Sequence, residues 1–247
     1  MGSFSAAQAA DFLAAQFKAR TSAAPAVAGP STRADTYRVH DLLIEALGQP
    51  CGWKVGRSKT ETEPYCAPLP ASRRLDDGAT YRAPGGVARL EAELGLRLGR
   101  DVPVSSGPLD RETCLGLIDA VVPSIEIIET RLAASAAQDP EWKLADLQGN
   151  GGVVFGPALP WKGQALDQVP LVLGFAGERR SSTAPHPFGD PLGLFCWTVN
   201  TVTGRGIPMR KGDVVINGSF CGIVEVPAGT RFVATFPQHG EVSVVVA

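Results

Sequence analysis

Two stripes of apolar residues at helical spacing open the chain. The first consists of Ala9, Phe12, Leu13 and Phe17, and the second of Tyr37, Leu42, Leu43 and Leu47. Each stripe recurs every three to four positions, which is typical of a helix that buries one face. Asp35 is a candidate cap for the second helix, and Gly48 and Pro50 are expected to end it. The pattern predicts a small helical N-terminal region, residues 1–50.

Strict alternation replaces the helical pattern near residue 90. Even positions from Leu90 to Leu98 are apolar, whereas the odd positions carry Arg89, Glu91, Glu93 and Arg97. Alternation over nine residues indicates a strand, although Leu, Ala and Glu individually prefer a helix. We expect a half-buried strand with both glutamates on one face.

The pattern predicts mostly short strands for the rest of the chain. Residues 110–122 are the exception and predict a helix that ends at Pro123, followed by a β-branched strand in SIEIIETRL. After residue 149, short apolar runs bounded by Gly, Pro or Asp predict strands throughout, including LFCWTVNTV around Cys196. The predicted fold class is therefore α+β: a small helical N-terminal region plus a mostly β roll or sandwich, with residues 51–247 as a β-rich catalytic domain.

Composition supports many turns and excludes several classes of protein. The 247 residues include 28 Gly and 20 Pro, and 23 Lys+Arg against 25 Asp+Glu leave a net charge of −2. No basic footprint for nucleic acid is present, and no apolar run is long enough for a transmembrane helix. The N-terminus lacks the features of a signal peptide, and the five dispersed cysteines form no CxxC pair. These observations favour a cytoplasmic protein that contacts neither nucleic acid nor membrane.

Glu91 and Glu93 are the first candidates for chemistry. On a strand, residues two positions apart point to one face, with Cα atoms ~6.5–7 Å apart. Two carboxylates this close repel each other, and a divalent cation such as Mg²⁺ or Mn²⁺ relieves that repulsion. In the alternative interpretation the pair faces solvent, with Arg89 and Arg97 as surface partners.

Two further charged residues lie within apolar runs. Glu126, in Ser-Ile-Glu-Ile-Ile, either reaches a metal or water-filled site or occupies the exposed side of an edge strand. Lys54, in Gly-Trp-Lys-Val-Gly, either lies beside an anionic substrate or extends its ammonium group to the surface. Glu129 with Arg131 is interpreted as a structural pair. The three histidines form no constellation, and we expect surface or capping roles for them.

Taken in order, these segments resemble the 2-keto-4-pentenoate hydratase and 4-oxalocrotonate decarboxylase-like branch of the fumarylacetoacetate hydrolase superfamily, from about residue 34 to the C-terminus. The markers are the segments 34–39, 52–56, 90–94, 124–131, 144–146, 189–192, 206–208, 211–215 and 217–219, together with Trp197. The Glu-x-Glu pair, the later Glu126 and the Gly-Asp-Val-Val block in this order make the combination fairly specific.

The resemblance implies a site and a reaction. Glu91, Glu93 and Glu126 would bind one Mg²⁺ or Mn²⁺, Lys54 would be catalytic, and Asp146, Gly218 and Ser219 would contact substrate. The implied activity is that of a metal-dependent hydro-lyase, with hydration as the leading reaction. Its substrate would be a small 2-keto or 2-hydroxydienoic acid of the 2-hydroxypenta-2,4-dienoate type, processed through a metal-stabilised enolate in aromatic compound catabolism. A homo-oligomer is also implied.

The sequence departs from the pattern of similar hydratases at two places. Tyr65 stands in a segment that commonly carries an acidic residue, and Leu147-Gln148-Gly149-Asn150 replaces a run of Asn, Ala and Ser. Three alternatives stay open: a 2-keto acid decarboxylase, a C–C bond hydrolase of acylpyruvates on the same metal site, or a non-catalytic small-acid-binding subunit.

Overall fold

The computed structural model describes residues 3–57, 63–104 and 107–247. Within these ranges the helices are α1 (Ala6–Ala19), α2 (Arg33–Leu47), α3 (Arg111–Leu115), α4 (Pro140–Ala145) and α5 (Pro191–Gly204). The first two confirm the predicted N-terminal helices. The cap of α2 is Thr32 rather than Asp35: the Thr32 hydroxyl accepts a hydrogen bond from the Asp35 N–H at 3.1 Å and donates one to the Asp35 carboxylate at 2.8 Å.

Strands make up the larger part of the regular secondary structure in the described residues. They are β1 (Pro50–Arg57), β2 (Pro64–Pro70), β3 (Arg74–Asp76), β4 (Thr80–Tyr81), β5 (Val87–Leu98), β6 (Ile118–Ile128), β7 (Asn150–Phe155), β8 (Leu159–Pro160), β9 (Gln168–Phe175), β10 (Glu178–Pro185), β11 (Val214–Ile216), β12 (Val224–Pro227), β13 (Thr230–Phe236) and β14 (Gly240–Val246). Their predominance confirms the α+β assignment.

Two sheets form a curled, mixed half-barrel. The larger sheet has the order β2-β1-β11-β5-β6-β7-β3, with β12 beside β5 and β8 beside β6. The smaller sheet has the order β10-β9-β13-β14-β4. In the larger sheet β1 pairs with β11, and β3 with β7, in parallel, whereas β5 and β6 are antiparallel.

The main core uses one face of the larger sheet. On β5 the even positions from Leu90 to Leu98 are buried in this core, together with side chains of α5 and of the smaller sheet. On β6, Ile125 and Ile127 enter the same core. Because strand side chains alternate, Glu91, Glu93 and Glu126 therefore point to the opposite face. The alternation predicted from the sequence is confirmed.

The N-terminal helices pack on a second apolar cluster. Its members include Leu13 and Phe17 of α1, Leu43 of α2, Trp142 of α4 and Leu147. Gly29 lies against the Trp142 indole so closely that a Cβ there would fall 2.1 Å from Nε1. None of the described helices combines the length and the low polarity needed to cross a bilayer.

Two of the predicted elements are wrong. Only Arg111–Leu115 is helical in the 110–122 segment, and β6 runs straight through Pro123. The segment around Cys196, predicted as a strand, lies in α5, which Asp190 caps through the Gly193 N–H at 2.9 Å. Residues 120–127 and much of α5 are buried on more than one side, so their apolar pattern does not distinguish a helix from a strand. Asp190 followed by Pro191 was the local signal for the helix start.

Candidate active site

Three glutamates converge on the non-core face of the larger sheet. Glu91 on β5 lies directly opposite Glu126 on β6, and Glu93 lies opposite Ser124. One carboxylate oxygen from each of Glu91, Glu93 and Glu126 lies within 4.8 Å of the other two. Register and alternation together place these acids at one point, although they come from two strands.

Three polar groups orient the glutamates. The Lys54 ammonium on β1 donates to Glu126 Oε1 at 2.5 Å, and the Asn150 amide donates to the same oxygen at 2.8 Å. The Gly218 N–H, from the loop after β11, donates to Glu93 Oε2 at 2.7 Å. Asn150 was not singled out from the sequence. It begins β7 among glycines, and only the sheet order brings it to Glu126.

Burial and the neighbouring carboxylates raise the proton affinity of Glu91 and Glu93. Burial first, and then the charges of Glu126 and Glu91, hold the pKa of Glu93 well above its usual range. Burial and Glu126 likewise raise the pKa of Glu91. Burial alone would lower the pKa of Lys54, but Glu126 and then Glu93 outweigh it, so the pKa of the ammonium is raised. One lysine leaves the three acids incompletely neutralised.

The donor set fits a hard divalent cation. Glu126 Oε2 is buried and has no hydrogen-bond partner among the described residues, while Oε1 is held by Lys54 and Asn150. An oxygen kept available in this way, beside two further carboxylates, is what Mg²⁺ or Mn²⁺ requires. A cation there would also relieve the mutual repulsion of the acids. The residues that could hold a metal are therefore Glu91, Glu93 and Glu126.

A cavity of about 510 Å³ opens over the glutamates. Lys54, Gly218 and Ser219 also line it. Gly218 has φ +108°, and a Cβ on it would lie 2.6 Å from the Phe188 ring, so this position requires glycine. The tight contact places the Gly218 N–H where it reaches Glu93.

Asp146 is not brought to the cavity. It is buried, and its carboxylate is occupied by the Arg131 Nε at 2.5 Å, the Arg131 N–H at 3.0 Å and the Thr130 hydroxyl at 2.8 Å. Of the residues near Arg131 and Asp146 in the sequence, Thr130, Gln148 and Gly149 line the cavity instead. The structure thus places Asp146 in a buried ion pair behind the cavity wall.

The two departures from the hydratase pattern both lie at the cavity. Tyr65 on β2 lines it, with its ring against Gly56: a Cβ on Gly56 would fall 2.7 Å from that ring. Gln148 also lines it, and it adopts a positive φ of 55° next to Leu147 at 53°. Consecutive left-handed residues other than glycine are uncommon and concentrate at functional sites. The cavity therefore carries a phenol and an amide at these two places.

Two interpretations of charged and titratable residues are wrong. All three histidines, His40, His186 and His239, are buried rather than on the surface. Arg131 pairs with Asp146, whereas the Glu129 carboxylate pairs with Arg20 at 3.3 Å. Both residues follow the end of β6 at Ile128, so strand alternation no longer places positions two apart on one face.

Comparison with known proteins identifies relatives among hydratases. No family model matches the chain. The chain is 32% identical over 153 residues to 2-keto-4-pentenoate hydratase of Paraburkholderia xenovorans strain LB400, covering 58% of this chain and 53% of that protein. It is 29% identical over 195 residues to 2-hydroxyhexa-2,4-dienoate hydratase of Comamonas testosteroni, covering 71% and 67%. The chain thus spans about half the length of the first of these relatives.

Solved structures share the fold over longer stretches. 4-Oxalocrotonate decarboxylase from Pseudomonas putida G7, complexed with magnesium and adipate, superposes with a TM-score of 0.80 at 19% identity and full coverage of both chains. Fumarylpyruvate hydrolase from Pseudomonas aeruginosa, in complex with Mn²⁺ and pyruvate, reaches 0.58 at 19% identity over 79% of this chain and 88% of that one. By sequence and by fold together, the chain is similar to the branch of the fumarylacetoacetate hydrolase superfamily that contains the 2-keto-4-pentenoate hydratases and 4-oxalocrotonate decarboxylase.

Proposed function

We propose that the protein is a Mg²⁺- or Mn²⁺-dependent hydro-lyase that adds water to a small 2-keto or 2-hydroxydienoic acid of the 2-hydroxypenta-2,4-dienoate type. The observation that carries the proposal is the convergence of three glutamate carboxylates, within 4.8 Å of one another, on the wall of a 510 Å³ cavity beside Lys54. The hydratase activity of the sequence relatives and the metals held by the structural relatives support it.

Each polar group has a distinct task in this proposal. Glu91, Glu93 and Glu126 would hold the cation, which when bound supplies a Lewis acid that stabilises negative charge on the substrate's keto oxygen. Lys54 would hold the substrate carboxylate or move the proton at the carbon beside the keto group. Its ammonium stays protonated because the acids around it raise its pKa. The Gly218 N–H would keep Glu93 in place.

The other residues that line the cavity would bind the rest of the substrate. Ser219 lies next to Gly218 and offers a hydroxyl group, and Tyr65 and Gln148 offer a phenol and an amide. Tyr65 and Gln148 stand where similar hydratases carry acidic and small polar residues, so they would position the attacking water without adding negative charge. Ile223 and Phe188 give the lining an apolar part suited to a hydrocarbon chain.

Decarboxylation of a keto diacid is the second candidate. Arg89 and Lys143 line the cavity, and neither has an ion-pair partner among the described salt bridges. Two cations at the mouth suit a second carboxylate, and the decarboxylase relative was solved with a dicarboxylate, adipate. Hydration remains our leading proposal because the sequence relatives are hydratases.

Substrate turnover tests the proposal. Purified protein with Mg²⁺ or Mn²⁺ is incubated with 2-hydroxypenta-2,4-dienoate, and loss of the dienol's ultraviolet absorbance is followed. We expect metal-dependent turnover that Glu91→Ala abolishes, with Glu225→Ala, a change on β12, as the matched control. Release of CO₂ from 4-oxalocrotonate, lost in Arg89→Gln or Lys143→Gln, would instead support the decarboxylase. Metal binding without turnover of either acid would contradict both and favour a binding subunit.

A further inference from the structure

A second, smaller pocket lies behind the candidate active site and has a different chemistry. Its volume is about 100 Å³, and its lining includes Arg20 after α1, Arg73 before β3, and Arg131 and Glu129 after β6. We call it the arginine pocket. The three guanidinium groups come from segments far apart in the sequence, so only the tertiary structure brings them together.

The charges of the arginine pocket do not balance. Arg131 is neutralised by Asp146, through the contact at 2.5 Å. Glu129 is the remaining acid, and it pairs with Arg20 at 3.3 Å. Arg73 donates to the Phe17 carbonyl oxygen at 2.7 Å, but no described salt bridge includes it. One positive charge is therefore left without a counter-charge.

The arginine pocket also contains a hydrogen-bond donor that lacks a partner among the described residues. Arg20 Nη2 is buried and has no partner among the described residues. The Arg20 guanidinium lies over the Tyr81 ring, 5.1 Å from its centroid, and the Arg73 guanidinium lies over the Phe17 ring at 4.9 Å. These aromatic contacts fix the planes of both groups. Burial and then the neighbouring Arg20 lower the pKa of Arg73, and the nearby Glu129 does not offset them.

We propose that the arginine pocket binds one small oxyanion, held between the guanidinium groups of Arg20 and Arg73. The planar forks of guanidinium groups match the oxygens of a carboxylate, sulfate or phosphate. The volume admits one such ion and excludes a larger organic acid. This site is separate from the metal-binding glutamates and does not depend on the proposed reaction.

The arginine pocket adjoins the active-site cavity. Thr130 lies on the walls of both, and Glu129 follows Glu126 by three positions. The Glu129 N–H donates to the Gly149 carbonyl oxygen at 2.7 Å, next to Gln148 in the cavity lining. An anion bound to Arg20 therefore lies next to residues 126–130, the segment that includes Glu126 of the candidate site and Thr130 of its cavity.

Sulfate is a suitable probe because it is a small oxyanion and does not precipitate Mg²⁺. The midpoint of thermal unfolding is measured against potassium sulfate, with ionic strength held constant by potassium chloride. We expect a rise that saturates at low millimolar sulfate. Sulfate also stabilises proteins in general by exclusion from their surfaces, but that effect grows without saturation.

Four variants test the location. Arg20→Gln and Arg73→Gln are each expected to raise the half-saturating sulfate concentration at least about tenfold, because each removes charge-assisted hydrogen bonds. Glu129→Gln removes the competing carboxylate and should lower that concentration. Arg89→Gln, in the active-site cavity, should leave it unchanged. An unsaturable response, or a loss confined to Arg89→Gln, would overturn the proposal.

Discussion

The two carboxylate oxygens of Glu126 have different surroundings. Oε1 accepts hydrogen bonds from Lys54 and Asn150, whereas Oε2 is buried without a partner among the described residues. The Asn150 amide thus sets the rotation of the carboxylate, and with it the direction of the available oxygen. Groups that orient a ligand in this way control metal affinity nearly as strongly as the ligands do.

Replacement of Asn150 tests this control. We expect Asn150→Ala to lower Mn²⁺ affinity about 10–100-fold, because Glu126 loses one of its two orienting donors. Affinity is measured by isothermal titration calorimetry. Asn200→Ala is the matched control, since the Asn200 side chain bonds to the Leu109 backbone in another part of the fold. Equal Mn²⁺ affinity in the two variants would contradict the role of Asn150.

Gly218 offers a second test at the residue scale. Gly218→Ala strains a φ of +108° and places a methyl group 2.6 Å from the Phe188 ring, so the loop must move and its hydrogen bond to Glu93 is weakened. Gly222→Ala is the matched control, because φ is +67° there and nothing lies within 4 Å of an added Cβ. We expect both to lose about 1 kcal/mol of unfolding free energy from backbone strain, but only Gly218→Ala to weaken Mn²⁺ binding.

Helix α2 illustrates how an element is held by a buried polar group. His40 is fully buried, and its Nε2 lies 2.7 Å from the Leu144 carbonyl oxygen at the end of α4. Burial, followed by the charge of Arg205, lowers the pKa of His40 to about 3. The imidazole therefore stays neutral in the folded protein and joins α2 to α4.

This shift makes stability depend on pH. The unfolded chain protonates His40 near its ordinary pKa of 6.5, whereas the folded chain does not until about pH 3, so stability falls as the pH decreases below 6.5. Between pH 7.5 and pH 5 we expect the wild type to lose about 2 kcal/mol more unfolding free energy than His40→Gln. Urea unfolding at both pH values measures this difference, and parallel losses would contradict the assignment.

A buried ion pair between Arg131 and Asp146 stabilises the segment that connects β6 to β7. Because breaking a buried pair leaves an uncompensated charge, Asp146→Ala is expected to lose about 3–5 kcal/mol of unfolding free energy. Asp146→Asn should lose less and keep KM close to the wild-type value, since Asp146 lies outside the cavity. A large rise in KM with unchanged stability would instead support direct substrate contact.

At the scale of the whole molecule, the candidate site depends on the arrangement of the larger sheet. Lys54 belongs to β1, the glutamates to β5 and β6, and Asn150 to β7. In the sheet β5, β6 and β7 are consecutive, and one strand, β11, separates β1 from β5. The overall charge of −2 conceals the concentration of three acids at one point. In the absence of a cation, their repulsion opposes folding.

Metal binding and the removal of one charge should therefore each relieve this repulsion and raise the stability of the folded protein. At Mn²⁺ concentrations about 100 times the dissociation constant, we expect about 2.7 kcal/mol of added stability, reversed by EDTA. Glu93→Gln should be more stable than the wild type in EDTA, because a buried unneutralised carboxylate is gone, but should gain little from Mn²⁺. Urea unfolding with Mn²⁺ and with EDTA compares the two proteins. A wild type unaffected by Mn²⁺ would contradict the metal site.

The sequence by itself determined the local patterns and the family resemblance. Alternation around Glu91 and Glu93 was sufficient to predict a strand with both acids on one face, because side-chain direction follows from backbone geometry alone. The ordered motifs carried the resemblance to the superfamily and named the residues expected to bind metal. The N-terminal helices followed from their apolar stripes for the same local reason.

Tertiary structure alone decided which residues meet. The sheet order brought Asn150 to Glu126 and directed Asp146 to Arg131, and no local pattern encodes such pairings. The segments around Pro123 and Cys196 were assigned incorrectly because burial on several sides removes the polar face that distinguishes a helix from a strand. The convergence of the three glutamates, and of the arginines behind them, likewise depends on contacts between segments that are distant in the chain.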